Sequence, residues 1–221
     1  MPRSIRLEYP DALYHVTARG VQQRFIFLDD VDRRLLPRLL ARTLIDFDAQ
    51  VFAYCLMGNH YHLVLQTRCA NLSTLMQRFN ASYSQQFNHR HSRIRQVFGG
   101  RFKTVHVDRD AYLLSACRYV DLNPVRAGLA RAPEDWMWSS YRAHTGRASP
   151  PVWLATSTLH DTLIGQPART EARTRMAQRT YADWVAVGRD FHLWKEFLRH
   201  GAYLGDDAFV ERTRIAAGYC A

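Results

Sequence analysis

Patterns of hydrophobic and polar residues predict seven secondary-structure elements in the first two thirds of the chain. Alternation or a short apolar run predicts a strand, and apolar residues every three to four positions predict a helix. The last helix should end near Asn123, because Pro124 disfavours helical geometry in the residue before it. Pro37 interrupts the pattern of the first helix. The patterns give strands at 13–19, 51–56, 60–66 and 101–107 and helices at 29–46, 71–88 and 109–122.

The order of these elements, βαββαβα, is typical of an α+β sandwich of the ferredoxin-like kind with a mainly antiparallel sheet. A Met-Gly-Asn turn at 57–59 joins two of the strands as a hairpin. Residues 133–146 are rich in Trp and Tyr and should pack against the sheet.

A Ser-Pro-Pro linker at 149–151 divides the predicted architecture. We expect a main domain at 1–148 and a small C-terminal helical appendage at 149–221. Helical composition within the appendage covers residues 172–187, 192–200 and 206–217.

The composition is that of an ordinary globular chain. Of its 221 residues, 47% are hydrophobic and 23% are charged, which excludes wholesale disorder and a disulfide scaffold. No apolar run approaches the roughly 20 residues of a membrane-spanning helix, and the N-terminus lacks the apolar core of a signal peptide. The four cysteines have no CxxC spacing and should be reduced thiols. We therefore expect a cytoplasmic protein with no membrane partner.

The charge of the chain is unevenly distributed. Its formal net charge is +10, and all of its cations except Lys103 and Lys195 are arginine. A GC-rich genome would explain the choice of arginine but not its location. Between Asp48 and Asp108 lie 59 residues with seven cations and no acid. Arginine suits phosphate, so this stretch indicates a nucleic-acid partner.

Two histidines on one predicted strand are candidates for a metal site. Side chains alternate along a strand, so His60 and His62 lie on the same face and Tyr61 on the other. Two neutral imidazoles about 7 Å apart can share one divalent ion. A second such pair, His89 and His91, lies in a polar arginine-rich stretch and is interpreted as solvated surface.

The helix predicted at 109–122 adds a tyrosine and an amide. Tyr119 and Asn123 are four residues apart and share a face. The Asn123 carbonyl oxygen can serve as a third, harder ligand, which suits Mg²⁺ or Mn²⁺ better than zinc. Tyr119 would then be a nucleophile beside the ion, although the spacing alone does not choose between Tyr119 and Tyr112. His15 is interpreted as a sheet-surface or substrate-contacting residue.

Several motifs together resemble one protein family. The segments YHVTARG, MGNHYHLVL, GRFKTVHVD and CRYVDLNPVRAGL occur in order between residues 5 and about 145. They resemble the REP-associated tyrosine transposases, in the single-tyrosine branch of the HUH single-strand nuclease superfamily. A softer resemblance covers residues 202–212. The ferredoxin-like sheet is then expected to carry the HUH motif at 60–62.

The resemblance implies roles for individual residues. His60 and His62 match the paired metal ligands, and Tyr119 matches the nucleophile that opens the YxxLNP motif. Asn123 falls where a polar side chain completes the metal site in related enzymes. The cofactor implied is Mg²⁺ or Mn²⁺.

The resemblance also implies an activity, metal-dependent transesterification on single-stranded DNA through a 5′-phosphotyrosine intermediate. Family members act on hairpin-forming palindromic repeats. A DNA-binding or regulatory module without cleavage is the alternative. A replication or conjugation initiator would need larger domains, and structural zinc would need partner cysteines. Both a monomer and a homodimer remain open.

Cations of the acid-free stretch are the candidates for DNA backbone contacts. Phe98 and Phe102 would stack unpaired bases or pack in the core, and Phe102 on a strand favours the core. Arg126 would touch phosphate or cap a helix C-terminus. The candidate DNA-contacting residues are Arg90, Arg93, Arg95, Arg101, Lys103 and Arg126.

Overall fold

The computed structural model describes residues 6–188 and 198–218. Its strands are β1 (Leu13–Arg19), β2 (Ala49–Leu56), β3 (His60–Thr67), β4 (Lys103–Val107), β5 (Leu198–Arg199) and β6 (Tyr203–Leu204). Its helices are α1 (Asp30–Asp46), α2 (Leu72–Arg90), α3 (Arg109–Asp121), α4 (Asn123–Arg126), α5 (Tyr141–His144), α6 (Thr156–Ile164), α7 (Glu171–Val187) and α8 (Asp207–Ala216).

The described strands form one sheet in the order β2-β3-β1-β4-β6-β5. Its first four strands pair antiparallel, in the ferredoxin-like order that the sequence predicts. Apolar residues that alternate along these strands face two separate cores. One core lies under α1 and α2, and the other lies under α3. The predicted α+β class is confirmed.

The C-terminal region contributes to the sheet as well as to the helical layer. Strand β6 pairs parallel with β4, and β5 pairs antiparallel with β6. The helix predicted at 192–200 is therefore wrong for Leu198 and Arg199, which form a strand, while 192–197 lie outside the described residues. Helices α7 and α8 confirm the other two predictions in this region. Leu159, Tyr181 and Val185 pack into the core under α3.

Local sequence explains where the helices begin and end. Asp29 accepts hydrogen bonds from the backbone N–H groups of Val31 and Asp32 and so caps α1, which continues past Pro37. Helix α3 ends at Asp121, and α4 begins at Asn123 with Pro124 in its first turn, where the missing N–H is tolerated. This break places Asn123 at a junction between two helical segments.

A buried carboxyl group ties α3 to its surroundings. Asp121 is fully buried and accepts hydrogen bonds from Ser140 Oγ at 2.6 Å and Tyr181 Oη at 2.7 Å. The segment at 133–146 packs against the outer edge of β2, where Leu56 N–H donates to the Trp138 carbonyl. Within the described residues, no helix combines the length and apolar character that crossing a membrane requires.

Candidate active site

Five polar side chains of β1 and β3 lie on the sheet face that α3 covers. The antiparallel register sets Thr17 opposite His62 and Arg19 opposite His60. His15 lies two residues before Thr17 and therefore shares its face. Strand alternation thus gathers two histidines of β3 with a histidine, a threonine and an arginine of β1.

His62 is held from one side of its ring. Its Nδ1 lies 2.9 Å from Nε2 of His15 and 3.1 Å from the hydroxyl of Thr17. Its other ring nitrogen, Nε2, is buried and has no hydrogen-bond partner among residues 6–188 and 198–218. A buried polar atom without a partner is costly, so this nitrogen is a candidate ligand atom.

The hydrogen bonds of His60 assign its tautomer. The side-chain amide of Asn59 donates through Nδ2 to the Gln23 carbonyl at 3.0 Å. Its oxygen, Oδ1, must then accept, and it lies 2.6 Å from Nδ1 of His60. His60 consequently carries its proton on Nδ1 and a lone pair on Nε2. The His60 and His62 rings are 4.9 Å apart, centre to centre.

The electrostatic surroundings keep these imidazoles neutral near pH 7. Burial and the nearby Arg19 guanidinium lower the pKa of His60 to about 4. Burial lowers the pKa of His15 to about 3 and, with help from its histidine neighbours and Arg19, places the pKa of His62 well below the ordinary value. Neutral imidazole is the form that binds a metal ion.

Tyr119 lies against this group of residues. Its ring centre is 5.7 Å from that of His15 and 6.3 Å from that of His62, in edge-to-face geometry. The guanidinium of Arg126 lies 5.1 Å above the Tyr119 ring. Asn123 donates through Nδ2 to the Tyr119 carbonyl at 2.8 Å, which leaves its Oδ1 as the atom of ligand character. Helix α3 therefore brings the Tyr119 ring to the buried histidines, and the break after α3 holds Asn123 against the carbonyl of Tyr119.

The donor set fits a divalent ion. It offers a lone pair on Nε2 of His60, the buried and unpartnered Nε2 of His62, and an amide oxygen from Asn123. The described residues contain no group of three or more His, Cys, Asp or Glu that could hold a metal ion, so this set depends on the amide of Asn123 for its third donor. Imidazole and amide donors suit Mn²⁺, and an amide oxygen also suits Mg²⁺.

The second histidine pair has a different setting. His91 Nε2 lies 3.0 Å from both carboxylate oxygens of buried Asp32, whereas His89 is exposed on α2. Arg90 between them contacts Asp29 and Asp32, the latter at 2.6 Å. The hydrogen bond that Arg90 donates to Asp29 lowers the pKa of the Asp29 carboxyl group to about 2. Arg90 thus joins the end of α2 to the beginning of α1.

The other candidate DNA-contacting cations fall into three places. Arg93 and Arg95 are exposed and line a cleft at the end of α2. Arg101 and Lys103 are exposed along the beginning of β4, beside Arg6. Arg126 lies on Tyr119.

The two phenylalanines considered as base-stacking residues are buried. Phe98 is 6% exposed and Phe102 is 8% exposed, and both belong to the core under α1 and α2. The Arg6 guanidinium covers the Phe102 ring at 3.6 Å. Core packing is therefore the correct reading of both residues, and neither ring is available to a base.

Sequence reasoning missed the contributions of β1 to the site. His15 is 7% exposed and contacts the second ligand candidate, so it is not an exposed residue of the sheet surface, while its contact with substrate stays a prediction. Thr17 and Arg19 were not among the candidates. Their shared alternation with His15 in LYHVTAR is the signal that could have found them, once the register with β3 is known.

The sequence of this chain matches a transposase family. A family model described as "Transposase IS200 like" matches residues 8–123, which is more than half of the chain. The chain therefore belongs to the IS200-like transposases, and the resemblance that its motifs carry is confirmed.

The fold is also similar to a solved structure of a REP-associated tyrosine transposase bound to a REP hairpin. That match has 17% sequence identity and a TM-score of 0.57, and it covers 70% of this chain and 92% of the other. A comparison with curated proteins finds no match.

Proposed function

We propose that this chain is a metal-dependent endonuclease and strand transferase for single-stranded DNA, with Tyr119 as its nucleophile. The observation that carries the proposal is the position of the Tyr119 ring, whose centre is 6.3 Å from that of the buried His62 imidazole, of which Nε2 has no hydrogen-bond partner among the described residues. Membership of the IS200-like transposases supports the reaction class.

In the proposed reaction the Tyr119 phenol loses its proton and its oxygen attacks a backbone phosphorus. A bond forms between the tyrosine oxygen and phosphorus, and the bond from phosphorus to the 3′ oxygen breaks. The 3′ oxygen takes up a proton, which gives a free 3′-OH and a 5′-phosphotyrosine link. A second 3′-OH reverses the step and completes strand transfer without any net loss of phosphodiester bonds.

His60, His62 and Asn123 would hold the divalent ion beside this tyrosine. The bound ion supplies Lewis-acid polarisation of the phosphate, which matters because a phenol of ordinary pKa near 10 is a weak nucleophile at neutral pH. Arg19 lies opposite His60 and Arg126 lies on the Tyr119 ring, so both can stabilise charge on the phosphate oxygens.

His15 and Thr17 act as positioning residues in this account. For Nε2 of His62 to present its lone pair, Nδ1 must carry the proton. Both groups beside Nδ1 can accept that proton in a hydrogen bond, since one is a hydroxyl oxygen and the other an imidazole nitrogen. His15 and Thr17 together would fix both the tautomer and the ring orientation of His62.

The proposed DNA contacts are Arg93, Arg95, Arg101, Lys103 and Arg126. We leave Arg90 out, because its guanidinium is engaged with Asp29 and Asp32. The similar transposase structure holds a REP hairpin, and we extend a hairpin-forming repeat to this chain as its substrate. Hairpin binding without cleavage is the competing function.

Labelled oligonucleotides separate the two functions. The protein is mixed with a hairpin repeat from around its own coding region, labelled at the 5′ or the 3′ end, with Mg²⁺, Mn²⁺ or EDTA. We expect a denaturant-resistant band that needs metal, keeps only the label 3′ of the cut and disappears in Tyr119→Phe. Tyr112→Phe, on the same helix, is the matched control and should keep the band. Binding without any such band would favour the binding module.

A further inference from the structure

An aromatic side chain that sequence reasoning passed over stands exposed near the histidine pair. Phe25, in the loop between β1 and α1, is 65% exposed. Its ring lies against Gly58, where an added Cβ would be 2.7 Å from ring carbon Cε1. Gly58 precedes His60 by two residues. The absence of a side chain at this glycine makes room for the ring.

The loop that presents Phe25 is held by specific hydrogen bonds. Ile26 N–H donates to the Gly58 carbonyl at 3.1 Å, directly after Phe25 in the chain. Asn59 donates to the Gln23 carbonyl while its oxygen accepts from His60. Gln22 and Gln23 adopt positive φ angles of 51° and 60°, which non-glycine residues rarely do. The ring is therefore held outward by an ordered loop that contacts the candidate ligand His60 through a single side chain.

Three arginines line the same cleft as the Phe25 ring. Arg24, Arg93 and Arg95 are all exposed and line a cleft together with Phe25. The two sides of the cleft are joined where Val21 N–H donates to the Val97 carbonyl at 2.9 Å. No acidic residue is among the described residues that line the cleft. An exposed ring among arginines favours a ligand that is both anionic and aromatic.

We propose that Phe25, Arg24, Arg93 and Arg95 form a subsite for an unpaired nucleotide of the DNA substrate. The base stacks on the exposed face of Phe25, and the arginines contact the flanking phosphates. This inference rests on the proposed function and deepens it, since it assigns a place for single-stranded DNA next to His60. A protein partner would not need three arginines and no acid around one ring.

The test measures DNA binding in EDTA, so that cleavage plays no part. The probe is a fluorescent hairpin repeat from around the coding region, with or without unpaired flanks. Stacking one base contributes enough affinity that Phe25→Ala should weaken binding of the flanked hairpin about tenfold. Phe25→Trp should keep the affinity, and the hairpin without flanks should bind both variants like the wild type. Ile45→Ala is the control, because it removes an exposed apolar side chain elsewhere, in α1. It should leave the affinity for both hairpins unchanged.

Abasic nucleotides placed in turn along the flank then locate the base. At the stacked position, the abasic change should weaken wild-type binding about as much as Phe25→Ala does, and the two losses should not add. Equal affinity of Phe25→Ala and wild type, or the same loss with and without flanks, would overturn the subsite. Absence of the covalent band with the wild-type protein and metal would instead overturn the proposed function. The two failures are distinguishable because binding of the flank is measured separately, in EDTA.

Discussion

Nε2 of His15 lies 2.9 Å from Nδ1 of His62, and both imidazoles are buried beneath Tyr119. The contact joins neighbouring strands across the middle of the sheet and engages one side of the His62 ring. The opposite nitrogen, Nε2, is left as the atom that we propose as a metal ligand. Such contacts fix the orientation and tautomer of a metal-binding histidine, and their loss lowers its affinity for the metal.

We therefore expect His15→Phe to weaken Mn²⁺ binding about 10- to 100-fold, because the ring of His62 loses a partner that fixes its tautomer. Calorimetric titration of the purified protein with Mn²⁺ measures this directly, without DNA. His89→Asn changes an exposed histidine of α2 and should leave the Mn²⁺ affinity unchanged. Unchanged affinity in a folded His15→Phe protein would remove His15 from the account.

The buried carboxyl of Asp121 predicts a pH dependence of stability. Burial raises the pKa of Asp121 to about 7, although hydrogen bonds from Ser140 and Tyr181 partly oppose the shift. Between about pH 4 and pH 7 the folded protein keeps this proton, whereas the unfolded chain has lost it. The contribution of Asp121 to the free energy of unfolding therefore decreases as the pH rises through this range, by a few kcal/mol in total.

Asp121→Asn removes the titrating group while keeping a side chain of similar size. We expect the free energy of unfolding of the wild type, relative to that of Asp121→Asn, to be lower at pH 8 than at pH 5 by a few kcal/mol. Urea unfolding at both pH values gives the two differences, and the shared contributions of the histidines cancel. A difference that does not change with pH would contradict the raised pKa.

The same substitution should affect different properties at two arginines of the acid-free stretch, stability at Arg90 and DNA binding at Arg101. Arg90→Gln leaves buried Asp32 without its guanidinium partner, so we expect a lower melting temperature. Arg101→Gln removes an exposed cation and should leave the melting temperature unchanged. Instead it should reduce the slope of DNA affinity against salt by about one.

Thermal unfolding and DNA titrations at several salt concentrations check both statements on the same preparations. If Arg90→Gln keeps the wild-type melting temperature, the ion pair between α1 and α2 has no structural importance. If Arg101→Gln keeps the wild-type salt slope, the exposed beginning of β4 is not a DNA-contacting surface.

Much of the fold follows from periodicity. The strand at 13–19 and the apolar side of α2 are local patterns, and both appear in the structure as the sequence predicts. Strands β5 and β6 contain two residues each, which is too short to show alternation. These strands form through tertiary contact with β4, and no local sequence pattern predicts that contact.

The site was partly readable for the same reason. His60 and His62 share a strand and are visible as a pair, and the motif resemblance supplied Tyr119. The roles of His15 and Arg19 depend on the register between β1 and β3, which a single sequence does not display. Exposure of aromatic residues was harder still. Phe98 and Phe102 are buried, whereas Phe25 is exposed. The Phe25 ring packs against Gly58, and this contact between distant parts of the chain is not visible in the local sequence.

The most direct test of the central claim is to map the covalent DNA attachment. The wild-type protein is incubated with the hairpin oligonucleotide and Mn²⁺, digested with protease and nuclease, and examined by mass spectrometry. The account predicts a single modified peptide, carrying a 5′-linked nucleotide on Tyr119 and absent when EDTA replaces Mn²⁺. A nucleotide on Tyr112 or another residue, or cleavage that leaves no attachment at all, would contradict it.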